Sequence, residues 1–210
     1  MKQDKLNSTI WIYEEQKLQT ILAYLTVTDA DSSKANGHTL SAELLDNLSI
    51  FKLVPIIQEY ENLYYALQVI GRLDRDQSDC FYDLTFKLRD KDQESYLKLR
   101  IILLDLNDNR PLFHQQIYTF NLTENKFYKD LMQIKAIDLD LENTLTYQLI
   151  DSPSNLPFVI NSTTGSLSLL SGKQLDREQF GKYEFKCKCF DKGHLFSEAK
   201  VIVNVLDGIY

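Results

Sequence analysis

At 210 residues, 44% hydrophobic and 25% charged, the chain can bury one large core or two of about 100 residues each. Thirty acidic against 23 basic residues leave a net charge of −7, which argues against nucleic acid, whose phosphates demand a basic face. The longest apolar stretches, such as residues 99–104, are broken by Arg100 and closed by Asp105, far short of the roughly 20 apolar residues of a membrane-spanning helix.

In chain order, Met1-Lys2-Gln3-Asp4 opens on polar residues without the apolar segment of a secretory leader, so Met1 is read as an internal starting point. Trp11 stands three positions before Glu14 and is read as packing in the core or on a strand face. Asp29-Ala30-Asp31 forms an acidic stretch, and the apolar spacing of Leu40, Leu44, Leu45 and Leu48 predicts a helical turn or two over residues 40–48. After Leu73-Asp74-Arg75-Asp76, residues 82–88 and 97–103 place apolar side chains at alternate positions, the signature of a strand with one buried face. Asp105-Leu106-Asn107-Asp108-Asn109-Arg110-Pro111 has neither helical nor strand character and reads as a linker. Beyond it, residues 183–189 and 201–205 again alternate, and Pro111, Pro153, Pro157 and Gly165 fall between such runs. About seven short strands per 100 residues predict an all-β chain of antiparallel, immunoglobulin-like sandwiches.

An internal repeat organises these elements. The run from Tyr82 to Asp90 reappears from Tyr183 to Asp191, 101 residues later, and Leu73-Asp74-Arg75-Asp76 reappears as Leu175-Asp176-Arg177-Glu178 after 102. Glu14 pairs with Glu124, Asp29 and Asp31 with Asp138 and Asp140, and Asp105 with Asp207. Two homologous domains follow, residues 1–109 ending in the linker and residues 110–210.

Chemistry other than acid and amide oxygen is sparse. Cys80, Cys187 and Cys189 are too few and odd in number for a disulfide framework; Cys187 and Cys189 share a strand face, are poorly placed to bridge each other, and are expected as buried thiols, with Cys80 in a loop and pairing between protomers as its alternative. His38, His114 and His194 form no zinc-ligand spacing, and no Gly-x-Ser-x-Gly or phosphate-cradling glycine loop occurs, so no enzyme is expected. Asn-x-Ser/Thr sequons at Asn7, Asn47, Asn121 and Asn161 suit passage through the secretory pathway. Asp and Asn in the linker offer oxygens at the density that Ca²⁺ prefers, six to eight ligands at about 2.3–2.6 Å.

Taken together, Glu14, Asp29/Asp31, Leu73-Asp74-Arg75-Asp76, Asp90 and Asp105-Leu106-Asn107-Asp108-Asn109, with their second copies, resemble the motifs of the cadherin repeat along essentially the whole chain. Phe158-Val159-Ile160-Asn161-Ser162-Thr163-Thr164-Gly165 is similar to that family's turn. The resemblance implies two tandem seven-stranded Greek-key β-sandwiches in an elongated array, of the non-classical, protocadherin-like kind, and about three Ca²⁺ at their junction. Carried over by position, Glu14, Asp74, Asp76 and Asp108 hold the outermost ion; Glu14, Asp76, Asp105, Asp108, Asp140 and the Leu106 carbonyl hold the next. Asn107, Asp138, Asp140, Asp191 and the carbonyls of Asn109 and Asn143 hold the third. Asp76 stands where the family has Glu, and the loop after Asp140 is one residue short and lacks the family's glycine.

The resemblance further implies a glycosylated, non-enzymatic ectodomain fragment for calcium-dependent cell–cell adhesion, on the extracellular side of the plasma membrane, belonging to a single-pass parent. Its partners would be a cadherin-type protein on another cell, homophilic or heterophilic, and further repeats of the same chain. Glu124, Asp176, Glu178 and Asp207 are expected to face such a repeat beyond Tyr210, and Asp29, Asp31 and Asp90 anything preceding the first. The alternative is a calcium-stiffened spacer or tether in a longer receptor, without an adhesive surface of its own.

Overall fold

The computed structural model describes residues 7–28, 40–59, 62–77, 80–90, 93–128, 131–141 and 144–208. Asp29, Asp31, His38 and Asn143 lie outside these described residues. The chain divides into two compact units, Met1–Leu106 and Asn107–Tyr210. Every regular element among the described residues is a strand.

In the first unit the strands are β1 (Asn7–Tyr13), β2 (Ile21–Thr28), β3 (Leu40–Leu44), β4 (Phe51–Glu59), β5 (Asn62–Val69), β6 (Phe81–Asp90) and β7 (Gln93–Leu104). They form a four-stranded sheet in the order β1-β7-β6-β3 and a three-stranded sheet β2-β5-β4. The period-two runs do what their pattern dictates: Tyr82 lies opposite Ile101 and Leu84 opposite Leu99 across the antiparallel β6/β7 pair, and all four are buried on one face. The facing sheet contributes Phe51, Leu67 and Val69, and the Phe51 and Tyr82 rings meet edge-on at 5.3 Å. β1 runs parallel to β7, with Ile10 beside Ile101 and Ile12 beside Leu103. Pro55, which has no N–H to donate, sits on the edge strand β4 where the β4/β5 register shifts.

One expectation fails here, and another narrows to one of its two readings. The helical turn predicted over residues 40–48 is instead strand β3, paired with β6 from Leu40↔Asp90 to Leu44↔Phe86. Its burial alternates, with Leu44 inside and Ser41 and Glu43 out, so a period of two overrides the i, i+4 spacing of the leucines, and Leu45 and Leu48 end up exposed. Trp11 does not pack in the core: Ile10 and Ile12 take the inward positions of β1, which by alternation turns Trp11 outward and leaves it 61% exposed.

The second unit contains β8 (Leu112–Phe113), β9 (Ile117–Thr123), β10 (Met132–Gln133), β11 (Ala136–Ile137), β12 (Thr146–Ile150), β13 (Phe158–Ile160), β14 (Ser166–Leu169), β15 (Lys182–Phe190) and β16 (Phe196–Leu206). Among the described residues nine segments make up the expected seven-strand pattern, because two strands are each split in two: β8 pairs with β11, whereas β9 pairs with β16 and β10 with β14. The main sheet runs β12-β15-β16-β9, faced by β10-β14-β13. Tyr183, Phe185, Cys187 and Cys189 line the inner face of β15 against Val201 and Val203 of β16. Both cysteines are free thiols, and burial pushes Cys187 up to about 12 and Cys189 up to about 11, so they pack as small apolar groups; free Cys80 is exposed. Gly165 has φ 68°, and a Cβ there would strike the Ile134 carbonyl, so the Thr164-Gly165 turn requires glycine.

Candidate metal centre

Each unit gathers carboxylates where its strands end, and the same local construction is used twice. Glu14 follows β1, and its N–H donates to the Leu104 carbonyl at 3.0 Å; Glu124 follows β9, and its N–H donates to Leu206 at 3.0 Å. The next residue turns left-handed in both, Glu15 and Asn125 each at φ 54°, and donates its N–H to Leu73 and Leu175 respectively. That turn tucks both glutamates into buried positions. Glu14 accepts N–H bonds from Arg75 at 2.6 Å and Leu106 at 2.9 Å; Glu124 accepts them from Arg177 at 2.8 Å and Gly208 at 3.2 Å. These two donors hold Glu124 below the usual carboxylate range.

Beside each glutamate lies an Asp-centred turn. Asp74 Oδ1 accepts from the N–H groups of Asp76 and Gln77, both at 3.1 Å, and Asp176 Oδ1 from Glu178 at 3.0 Å and Gln179 at 3.2 Å. This Asx geometry explains why Leu-Asp-Arg-Asp/Glu recurs: the aspartate caps its own turn, and the following backbone N–H serves the glutamate. In the first unit, carboxylate oxygens of Glu14, Asp76 and Asp105 lie within 4.8 Å of one another; in the second, those of Glu124, Asp176 and Glu178 do. The arginine between the acids bridges them, Arg75 to Asp105 at 2.8 Å and to Asp76 at 3.4 Å, and Arg177 to Asp207 at 3.4 Å.

A third group, Asp138, Asp140 and Asp191, also has ligand oxygens within 4.8 Å of one another and draws on the loop between β11 and β12 and the loop between β15 and β16. Asp138 Oδ1 accepts from the Asp140 N–H at 3.1 Å, and Asp191 Oδ1 accepts from the Leu195 N–H at 2.9 Å. Asp140 is buried and accepts from both the backbone and the side-chain amide of Asn109, the latter at 2.9 Å. Asp138 Oδ2 and Asp191 Oδ2 are buried and accept no hydrogen bond at all. Burial first, and then the charges of Asp140 and Asp191, push the Asp138 carboxyl above its ordinary value against the Asp140 N–H bond.

Two orphaned, buried carboxylate oxygens beside a third carboxylate cost several kcal/mol unless something positive meets them. Hard oxygen donors with free lone pairs fit a hard divalent cation of the Ca²⁺ type and not a nitrogen- or sulfur-seeking metal. Asn107 stands next to this group: a Cβ on Gly193, two residues beyond Asp191, would collide with the Asn107 carboxamide. Asp108 is exposed and accepts from the Asn109 side chain at 2.9 Å.

The sequence-predicted ligands therefore distribute as follows. The first unit holds Glu14, Asp74, Asp76, Asp105 and Leu106; the second holds Asn107, Asp108, Asn109, Asp138, Asp140 and Asp191. Asn143 falls outside the described residues. Sequence reading missed Arg75 as the internal counter-ion of Asp105, although its place inside Leu-Asp-Arg-Asp was visible, and Gly193, whose role depends on a contact 86 residues away in the chain.

Comparison with known proteins identifies the family and the fold. Residues 118–206 match the family described as Cadherin domain. Cadherin-3 of Caenorhabditis elegans is 30% identical over 83% of the chain, which spans 5% of that protein. Human Protocadherin Fat 1 is 30% identical over 93% of the chain and 4% of its own length; for human Protocadherin gamma-B3 the figures are 30%, 93% and 21%. The solved extracellular cadherin domains 1–4 of Protocadherin Gamma B7 superpose with a TM-score of 0.80 at 26% identity, covering 98% of this chain and 50% of that one. Extracellular repeats 22–24 of mouse Cadherin-23 share the fold, with a TM-score of 0.81 at 22% identity over 98% of this chain and 64% of that one. The chain belongs to the cadherin superfamily, and it spans only a small part of the length of the curated relatives it matches.

Proposed function

We propose that this chain is part of the extracellular region of a non-enzymatic, calcium-dependent cell–cell adhesion protein, in which acidic residues from both repeats share about three Ca²⁺ at their junction and thereby stiffen the array. The observation that carries the reading is the pair of buried, unpartnered oxygens on Asp138 and Asp191 beside Asp140. Glu14, Asp74, Asp76, Asp105 and the Leu106 carbonyl would be the first repeat's donors. Asn107, Asp108, Asp138, Asp140, Asp191 and the carbonyls of Asn109 and Asn143 would be the second's.

Bound Ca²⁺ supplies positive charge to carboxylates that otherwise repel by about 1 kcal/mol per close pair in water and several-fold more where water is partly excluded. The chain's own part is to pre-position them. Backbone N–H groups fix Glu14 and Asp74 through two hydrogen bonds each and Asp138 and Asp191 through one each, and every one of these carboxylates has further lone pairs for a metal. An anchored ligand loses little conformational freedom on binding, which favours affinity. The membrane is reached through the rest of the parent, and the partner is a cadherin-type protein on another cell.

Small-angle scattering of the chain tests this. Added calcium should lengthen and narrow the distribution of interatomic distances relative to chelator; identical curves in the two conditions overturn the reading. The spacer alternative draws support from the small fraction of Protocadherin Fat 1 that the chain spans, 4%. Sedimentation in calcium separates the two: a dimer in the tens-of-micromolar range supports adhesion by this segment, and a strict monomer supports the spacer.

A further inference from the structure

We infer that Asn121 and Asn161 carry N-linked glycans, so that sugar covers both sheets of the second unit and guards its exposed β9 edge. The inference rests on the extracellular reading above, because the modification requires passage through the secretory pathway.

Four sequons exist, and the structure separates them. Asn121-Leu122-Thr123 lies on β9, an edge strand of the sheet β12-β15-β16-β9. Phe120 and Leu122 turn toward the core, so alternation sends Asn121 outward, where it is exposed. Its Oδ1 accepts from Asn204 Nδ2 at 2.9 Å on the neighbouring β16, which orients the carboxamide through its oxygen and leaves the nitrogen that would bear the sugar unused. Asn161-Ser162-Thr163 occupies the turn between β13 and β14 in the opposite sheet. Asn161 is exposed, and its Oδ1 accepts from the N–H groups of Thr163 and Thr164, both at 3.0 Å, again leaving Nδ2 unused. At Asn47 the same nitrogen is committed to the Asp83 carbonyl at 3.1 Å in a half-buried, left-handed residue, φ 54°. The side chain of Asn7 lies outside the described residues.

The distinction is chemical. In the transfer, asparagine Nδ2 forms a bond to C1 of the first sugar of a lipid-linked oligosaccharide diphosphate. The C1–oxygen bond to the diphosphate breaks, Nδ2 gives up one proton, and the lipid diphosphate leaves. The product amide keeps its oxygen and one N–H. At Asn121 and Asn161 the fold uses only the oxygen, so the glycosylated chain folds with the hydrogen bonds of both side chains intact. A large hydrated substituent on the outer face of β9 also blocks a second chain from pairing along an edge that in this sheet has a neighbour on one side only.

The test is to secrete the 210-residue chain from cultured animal cells, release N-glycans with a peptide N-glycosidase in heavy-oxygen water, and sequence the peptides by mass spectrometry. Heavy-oxygen label at positions 121 and 161 supports the inference, with one electrophoretic step lost in Asn121→Gln and another in Asn161→Gln. Should Asn121→Gln fail to fold, Thr123→Val removes the sequon while leaving the Asn121 contact to Asn204, and must lose the same step. Secreted protein unlabelled at both positions overturns the inference, and if its calcium response persists the metal reading stands. Labelled protein indifferent to calcium keeps the glycans and overturns that reading instead.

Discussion

The second unit carries two acidic groups, and they differ in how their charge is met. Around Glu124 and Asp176 the backbone answers the acids: Arg177 and Gly208 donate to one, Glu178 and Gln179 to the other. Around Asp138, Asp140 and Asp191 the backbone and Asn109 answer some oxygens, while Oδ2 of Asp138 and Oδ2 of Asp191 are buried and unanswered. Acid count is therefore a poor guide to what a cluster does without metal. The first group is met by the fold itself; the second keeps buried charge that a cation or a proton would relieve.

The sharpest way to break this contrast is Asp138→Asn. The amide keeps an oxygen for the Asp140 N–H, loses the charge, and gains a donor next to Asp191. In chelator the variant should be more stable than the wild type by on the order of 1 kcal/mol, because a partly buried like-charge contact disappears. In calcium it should forfeit the ion-linked gain, which mass action sets at about 3 kcal/mol when free calcium is a hundredfold above its dissociation constant. Thermal melts in the two conditions read both signs. A variant destabilised equally in both would mean that Asp138 is merely structural, and the contrast would collapse.

Glu124→Ala is the complementary case. It strips two backbone N–H groups of their acceptor, so the second unit should melt several degrees lower with calcium and with chelator alike. A loss seen only in calcium would place Glu124 with the metal ligands and not with the fold.

Gly193→Ala probes how the second group is finished. The added methyl collides with the Asn107 carboxamide, whose atoms are its three nearest neighbours, while φ at 193 is not left-handed. Isothermal titration should show calcium affinity weakened by roughly tenfold, the lower range for displacing a supporting contact of a metal site, with the melting temperature in chelator unchanged. Unchanged affinity would remove Asn107 from the ligand set.

How much of this was legible in the sequence depended on whether the information was local or periodic. The strands β6, β7, β15 and β16 announce themselves, because alternation over five to seven residues is a strong signal and their inward residues are the core. The internal repeat located Glu14 and Glu124, Asp74 and Asp176, since both copies need the same left-handed turn and Asx cap. Residues 40–48 misled because four leucines happen to fit a helix, and only pairing with β6 decides for strand. For Trp11 the reading left core and strand face open, and the inward positions of its neighbours Ile10 and Ile12 decide for the outer strand face. The two orphaned oxygens were invisible in sequence, since whether a carboxylate finds a donor is settled by backbone geometry and not by residue type.

The smallest effect concerns charge that is paired at the surface. On the outer face of β15, Glu184 bonds Lys182 and, at 2.7 Å, Lys200 of β16; the Lys182 bond first and the Lys200 bond second lower its carboxyl from 4.5 to about 2. A carboxylate depressed in the folded state contributes stability that is fully present above its unfolded value, near 4.5, and is lost as pH falls toward about 2. Urea melts across that window should therefore show a declining stability that Glu184→Gln makes shallower, and the difference should shrink in high salt because both lysines are solvent-screened. The pair lies on an exposed strand face and belongs to none of the three acidic groups described above. A Glu184→Gln chain should keep its calcium affinity, and a measurable drop in that affinity would show that the acidic groups feel the field of the sheet as a whole and not only their immediate neighbours.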